Sequence, residues 1–471
     1  MPKSDLIELK DPKSRRRQPL VKKIITEIAE NFIKNICEKL SMGKTLSQIE
    51  SEMLKEAKAC ATRLTEAYIS QIDANILGDK AGRREAGYSV ERRGDERRLQ
   101  TQLGEISYHR TYYKKAAGGY EYLTDTFLGV ESRQRISEEM SLSLSNAAKD
   151  MSYGKASTYL CDGEISRQTV MNHIRQSEAV AEVPTEKRRV PELHIDADEA
   201  HITLCGGRKS EVPLISVYEG IEKQGKRNKC KNVFHISEYG KKPDELWEQA
   251  LTEIEQRYDL TGTKIYMHGD GGNWIQTGLE WIPGAVFVLD KYHKNKAIKS
   301  MTAGLEESDQ KLFDREIRWS LENEDFRFFE ELTFSLCRDL PERAEKILES
   351  AEYLRRFVSG ISICKKDPCA NNGGCTEPHV SHILSARLSS RPMAWSSKTL
   401  KKLAPVLAAG NVALKCKEDN ESLPLPLRKA AARASKALRR GVAGLPSPDA
   451  IGALPISGKI TGTQKILKLF C

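Results

Sequence analysis

The chain has 471 residues, of which 39% are hydrophobic and 30% charged, and a formal net charge of +9. That length exceeds what one hydrophobic core ordinarily serves, so two to four domains are expected. No apolar run approaches the roughly 20 residues of a membrane span, and the polar, basic start MPKSDLIELKDPKSRRRQ lacks the apolar core of a secretory signal, which predicts a cytoplasmic protein with no membrane partner.

Residues 1–80 read as a helical N-terminal region. Ile24, Ile25, Ile28, Phe32, Ile33 and Ile36 recur at three- and four-residue steps, and Leu54, Ala57, Leu64 and Tyr68 continue the pattern. Residues 85–123 read as a β-hairpin. The stretch VERRGDERRLQTQLGEISYHRTYYKK alternates polar and apolar residues, with Leu103-Gly104-Glu105 between the two runs. It interleaves Arg97, Arg98, Arg110, Lys114 and Lys115 with Tyr108, Tyr112 and Tyr113. Such a ribbon either lies against DNA or has one wet and one packed face, and the pattern leaves both open.

Residues 124–180 return to helix. SYGKASTYLCDGEISRQTVMNHIRQ gives a helix, a turn at Asp162-Gly163 and a second helix capped by Ser166, a helix-turn-helix-like arrangement. Its second helix carries Arg167, Gln168, Asn172 and Arg175 as candidate DNA contacts; the plainer alternative is an ordinary helical pair. VAEVPTEKRRVP then reads as a linker.

Residues 190–400 change to an α/β pattern. LHIDADEAHITL, VPLISVYEGI and NVFHISEY are strand-like, DELWEQALTEIEQRY is an amphipathic helix, and KIYMHGD and AVFVLD are further strands. Three strands, helix, strand, helix, strand is the order of an RNase H-like core. A mostly helical stretch, about 296–360, follows and reads as an insertion. The predicted fold class is therefore an α/β RNase H-like catalytic core with a helical insertion, preceded by a mainly helical region containing a hairpin and a helix-turn-helix-like element.

Several acids in this region stand where strands end. Asp270 closes the strand Lys264–Gly269 and is followed by two glycines, the kind of position where open α/β sheets bind ligands. An Asp in an Asp-Gly turn is the structural alternative. Asp196 and Asp198 alternate onto one face of the first strand, where two like charges are costly unless a cation or basic group meets them. Asp290 ends the last strand, and His293 three residues on faces the same way if a helix follows. His293 there is a supporting partner that orients a phosphate oxygen or simply holds structure. Glu377 lies just before an amphipathic helix, where an acid can complete a site begun by two strands.

The blocks HIDADEAHITL, MHGDGGNWI with VFVLDKYHKNKAI, and GCTEPHVSHILSARLSSRPMAWS resemble bacterial insertion-sequence transposases of the Lre type, which are themselves similar to mutator-like DDE transposases. The likeness runs from about residue 20 to 400 and includes the hairpin TQLGEISYHRTYY. It implies a DDE triad of Asp198, Asp270 and Glu377, supported by Asp290 and His293. Asp198 fits the first acid better than its alternate Asp196, because the residues after it match the family's strand. It also implies double-stranded DNA partners, namely the element's terminal inverted repeats and a target, and a homodimer or larger assembly that joins two ends. The expected cofactors are two Mg²⁺ (or Mn²⁺) ions, since these hard cations demand oxygen ligands.

Of the eleven cysteines, only Cys364, Cys369 and Cys375 cluster, with His379 close behind. Their spacing lacks the Cys-x2-Cys of structural zinc sites, so a reduced loop rather than a zinc site is expected there. Residues 401–471 form a basic tail with 13 Lys or Arg against 4 Asp or Glu, equal to the excess of the whole chain. Such a tail suits a phosphate backbone or a solvated extension alike.

Overall fold

The computed structural model describes residues 18–39, 44–180, 183–225, 227–410 and 412–413. The basic tail from residue 414 onward lies outside the described residues. The described chain divides into two compact units, one running up to Ser141 and one from Leu142 onward.

In the first unit the predicted N-terminal helix is two helices, α1 (Gln18–Lys39) and α2 (Leu46–Gly78). Thr45 caps α2: its side chain accepts from the Gln48 N–H while Gln48 reaches back to the Thr45 N–H. A short α3 (Lys80–Glu85) leads into β1 (Tyr88–Thr101) and β2 (Gly104–Lys115), antiparallel as the alternation predicts, with β3 (Tyr120–Glu121) on the edge of β2. Tyr108 and Tyr113 are buried against Ile69, Ile72 and Ile76 of α2 and Leu123 of α4 (Leu123–Leu128). Arg110 is buried too, paired with Asp125, which also accepts from the Tyr108 hydroxyl at 2.9 Å. These three residues of the ribbon therefore build the packed face, which removes them from any DNA-facing set.

The second unit begins within α5 (Glu138–Asp150) and continues through α6 (Tyr153–Cys161) and α7 (Arg167–Gln176). Asp162 takes a left-handed conformation at the turn, and Ser166 caps α7 by accepting from the Thr169 N–H at 3.1 Å. β4 (Glu178–Ala179) pairs with β12 (Val412–Ala413).

A five-stranded sheet follows. β5 (Glu192–Thr203), β6 (Lys209–Tyr218) and β9 (Phe234–Ile236) run antiparallel in sequence, with a small hairpin, β7 (Ile221–Gln224) and β8 (Arg227–Cys230), inserted before β9. The chain crosses through α8 (Pro243–Arg257) to β10 (Lys264–Gly269), which pairs parallel with β5, and through α9 (Asn273–Trp281) to β11 (Ala285–Leu289), parallel with β10. The spatial order is β11-β10-β5-β6-β9. One face is apolar: Leu193, Ile195, Ala197, Val217 and Met267 pack against Leu246, Trp247, Ala250 and Ile254 of α8 and Ile275 of α9. Gly278 lets α9 approach, since a Cβ there would sit 2.5 Å from Trp247.

The stretch that follows β11 is helical. It comprises α10 (Lys291–Thr302), α11 (Glu307–Glu322), α12 (Phe326–Asp339), α13 (Ala344–Arg356) and α14 (Val358–Lys366). It has its own core, including Ile298, Met301, Ile317, Leu336, Ile347 and Leu354. α15 (Thr376–His379), a π-helical segment Val380–Ser385, α16 (Ala386–Leu388) and α17 (Ser397–Ala409) complete the described chain.

Candidate active site

The second face of the sheet is polar. Side chains alternate along a strand, so burying Leu193, Ile195 and Ala197 on one side turns His194, Asp196 and Asp198 to the other. Register then sets their neighbours. β10 pairs with β5 from Lys264 opposite Glu192 to His268 opposite Asp196, so two residues further Asp270 stands beside Asp198. β11 pairs Leu289 with Gly269, which brings Asp290 level with both, and the Asp290 N–H donates to the Gly269 carbonyl at 2.9 Å. Three acids thus line up side by side: Asp198 midway along β5, and Asp270 and Asp290 just beyond the carboxyl ends of β10 and β11. Gly269 permits this closeness, because a Cβ there would lie 3.0 Å from the Ala197 carbonyl oxygen.

Each acid has a different environment. Asp198 is 8% exposed and, among the described residues, accepts only the N–H of its neighbour Glu199, at 2.8 Å. Burial, reinforced by the charges of Glu199 and Asp270, pushes its carboxyl up to about 6. Asp270 is half-buried. Its Oδ1 accepts from the Gly272 N–H at 2.8 Å, and its carbonyl accepts from the Tyr353 hydroxyl at 2.7 Å. Between them Gly271 has φ +87°, and a Cβ there would lie 2.2 Å from Phe357. Asp290 is already engaged: it caps α10 through Tyr292 N–H (2.7 Å) and accepts from Thr376 Oγ1 (2.9 Å). Burial opposes its charge, but these hydrogen bonds and His293 outweigh it and hold the carboxyl below the usual aspartate value. His293 Nδ1 lies 3.6 Å from Asp290 Oδ2, an ion-pair distance. That contact, with the charges of Asp198 and Asp270, raises the imidazole above its ordinary value.

Asp196 sits one step deeper and is 2% exposed. Its oxygens accept from the Tyr218 hydroxyl (3.0 and 3.1 Å) and from the Cys375 N–H (2.9 Å), and His379 Nδ1 lies 3.3 Å away. The same Tyr218 hydroxyl accepts from the Gly374 N–H at 2.9 Å. Residues 374–376 are therefore clipped to the sheet by three hydrogen bonds, and Glu377 follows directly. Glu377 is exposed, and its carboxylate makes no hydrogen bond or ion pair among the described residues.

Several residues of this face escaped sequence reasoning. His194 Nδ1 and His268 Nε2 are 3.0 Å apart beneath Gly373, and burial depresses His268 to about 4. Trp274 Nε1 donates to Glu199 at 2.9 Å. The alternation that pairs Asp196 with Asp198 also points to His194, whereas Tyr218 and Tyr353 carry no sequence signal. Glu199, His201 and Glu211 bring ligand atoms within 4.8 Å of one another, with His201 and Glu211 exposed.

On α7, Arg167, Gln168 and Asn172 are exposed. Arg175 does not join them, because its guanidinium donates to Thr399 Oγ1 (2.9 Å) and Ser396 Oγ (3.1 Å) at the start of α17. Cys364 and Cys369 pack beside Tyr266, Val288 and Ala370, away from Cys375 and His379, which meet Cys230 instead.

Residues 39–418 match an uncharacterised protein family, UPF0236, and the chain belongs to that family. A UPF0236 protein of Caldanaerobacter subterraneus subsp. tengcongensis is 36% identical over 417 residues, covering 85% of this chain and 82% of its own. Another from that organism, whose name strings together eleven locus designations, is 36% identical over 81% of this chain and 82% of its own. A more distant relative from Streptococcus gallolyticus, named for its place in the vanSb 3′ region, is 27% identical over 79% of this chain and 84% of its own. Among the described residues no helix is long and apolar enough to cross a membrane.

Proposed function

We propose that the chain is a DDE transposase of the Lre type, cleaving and joining DNA strands at the ends of an insertion sequence. The observation that carries this is the adjacency of Asp198, on the central strand β5, to Asp270, at the end of the neighbouring parallel strand β10, with the Asp198 carboxyl raised to about 6. Two acids that repel each other in a buried site are stable together when a cation lies between them. The strand order, with the first strand central and the second antiparallel to it, supports an RNase H-like core.

The donors available fit Mg²⁺ or Mn²⁺: hard carboxylate oxygens at the mouth of the sheet, with Asp198 and Asp270 as ligands and Glu377 as the third. Held there, such ions would supply the charge that activates an attacking water and offsets the leaving 3′ oxygen. Asp196 is disfavoured as the first acid, since Tyr218 and Cys375 already use its oxygens. The Gly272 N–H and the Tyr353 hydroxyl fix the turn that carries Asp270. His293, whose imidazole the Asp290 contact raises above its ordinary value, is suited to donate to a phosphate oxygen beside the two acids. Arg167, Gln168 and Asn172 of α7 are suited to reading DNA in a helix-turn-helix manner, with two protomers bridging two element ends. A relative that one genome carries under eleven designations is also what a self-copying element leaves behind.

The test is strand cleavage and joining on DNA bearing the element's own ends, with Mg²⁺ or Mn²⁺. Asp270→Ala and Glu377→Ala should each lower the rate at least ~100-fold, the several kcal/mol expected of a lost metal ligand. Parental rates in both variants overturn the assignment, and binding without any cutting by the wild-type chain identifies a DNA-binding protein instead.

A further inference from the structure

Behind the strand-end acids lies a second group of donors of a different chemical kind. Cys230 ends β8, His235 is on β9, and Cys375 and His379 flank the segment that carries Glu377. Cys230 Sγ is 3.5 Å from His379 Nε2. Cys230 and Cys375 face each other across the same cluster. The His235 ring stands edge-on to that of His379, with centroids 5.2 Å apart, and its Nδ1 is taken by Ser216 Oγ at 2.8 Å. That leaves Nε2 as the ring nitrogen available for another partner. On its far side His379 turns Nδ1 toward Asp196 Oδ2, 3.3 Å away, buried and without a well-formed hydrogen bond.

We propose that Cys230, Cys375, His379 and His235 bind one zinc-class ion through two thiolates and two imidazoles. Two sulfurs and two nitrogens are what tetrahedral Zn²⁺ takes, and Mg²⁺ avoids such donors. A metal-bound histidine ordinarily gives its other N–H to a carboxylate, and Asp196 stands there for His379. The two halves, Cys230-x4-His235 and Cys375-x3-His379, are far apart in sequence, which is why spacing around Cys375 alone pointed away from a metal. The ligand atoms of Cys230, Cys375 and His379 are not yet all within 4.8 Å of one another. Loading therefore draws one thiol inward, to metal–ligand distances of about 2.3 Å for sulfur and about 2.1 Å for nitrogen.

Such an ion staples the β7–β8 hairpin and β9 to residues 375–379. It would fix the segment that holds Glu377 while lying apart from the carboxylates themselves. The inference does not depend on the transposase reading, and the experiment keeps the two apart.

The full-length chain, purified without chelator and dialysed, should carry one zinc per chain by elemental analysis. Cys230→Ser and Cys375→Ser should each lower occupancy at least tenfold, while Asp198→Asn leaves it unchanged. Replacing zinc by Co²⁺ should give the visible bands of tetrahedral cobalt and a thiolate charge-transfer band, both missing in Cys375→Ser. Should the serine variants fail to fold, a mercurial titration of the wild-type chain with a zinc-sensitive dye serves instead, and zinc release should follow the capture of two thiols. The proposal is overturned if the wild-type chain gives no thiolate–cobalt band. It is equally overturned if zinc stays bound in folded Cys230→Ser and Cys375→Ser, or leaves without those thiols being captured.

Discussion

Replacing Asp196 and Asp198 one at a time by asparagine should change stability in opposite directions. Asp198 is buried and, among the described residues, its carboxylate has no cationic or side-chain donor in hydrogen-bonding contact, so its ionised form is costly in the metal-free chain. Between an ordinary aspartate at 3.8 and a value of about 6 lie roughly two decades of proton affinity, each ~1.4 kcal/mol. Above pH 7 the charge therefore costs about 3 kcal/mol. The folded state binds more protons than the unfolded state between those two values, so stability falls as pH rises through that window and is level above it. Asp198→Asn keeps the oxygen that accepts from the Glu199 N–H and removes the charge. It should stabilise the metal-free chain by up to about 3 kcal/mol at pH 8 and by almost nothing below pH 4. Asp196→Asn does the reverse. One of the two oxygens that receive the Tyr218 hydroxyl and the Cys375 N–H becomes an N–H₂ that cannot accept, a loss of about 1.5–3 kcal/mol. Urea denaturation in EDTA, followed by circular dichroism at pH 8 and pH 4, reads both effects. Saturating Mg²⁺ should close the gap between wild type and Asp198→Asn. If Asp198→Asn destabilises at pH 8, or Asp196→Asn stabilises, the assignment of the two aspartates is wrong.

Further outcomes follow from single contacts. Gly271→Ala forces a Cβ into Phe357 and strains a backbone at φ +87°, so it should lower cleavage at least ~10-fold by moving Asp270, and adding Phe357→Leu should restore part of the rate. His268, buried and held near 4, is protonated in the unfolded chain first. Without metal, the wild-type chain should lose stability relative to His268→Gln as pH falls from 6.5 toward 4, by up to ~1.4 kcal/mol per pH unit, since the opposing contribution of Asp198 in that window is common to both. Arg167→Ala should weaken DNA binding and lower the salt slope by about one. Arg175→Ala should instead lower the stability of the chain, because its hydrogen bonds hold the start of α17.

The strands, the hairpin and the pair α6–α7 were legible because each announces itself by a local period or a cap. Asp270 was legible as a strand-end acid followed by glycines. The pairing that sets it beside Asp198 is a matter of register between strands about 70 residues apart, which no local pattern contains. Asp196 and Asp198 look alike in sequence, and what separates them is Tyr218 on the neighbouring strand and the backbone of Cys375, almost 180 residues away. Arg175 shows a related limit: its partners come from α17, and nothing on α7 distinguishes it from Arg167. The buried tyrosines of the hairpin show the same limit, since alternation defines two faces without saying which one meets α2. Glu377 owes its selection to the resemblance, and its local surroundings, exposed and unpaired, still do not name it.

The most direct test of the central claim is to map the metal. With Fe²⁺ in place of Mg²⁺, ascorbate and peroxide cut a polypeptide next to the bound ion, and mass spectrometry locates the cuts. The account predicts cleavage around Asp198, Asp270 and Glu377 together, suppressed by excess Mg²⁺ and lost in Asp198→Asn. Cuts confined to the stretch from Glu199 to Glu211, or none near Glu377, would contradict it.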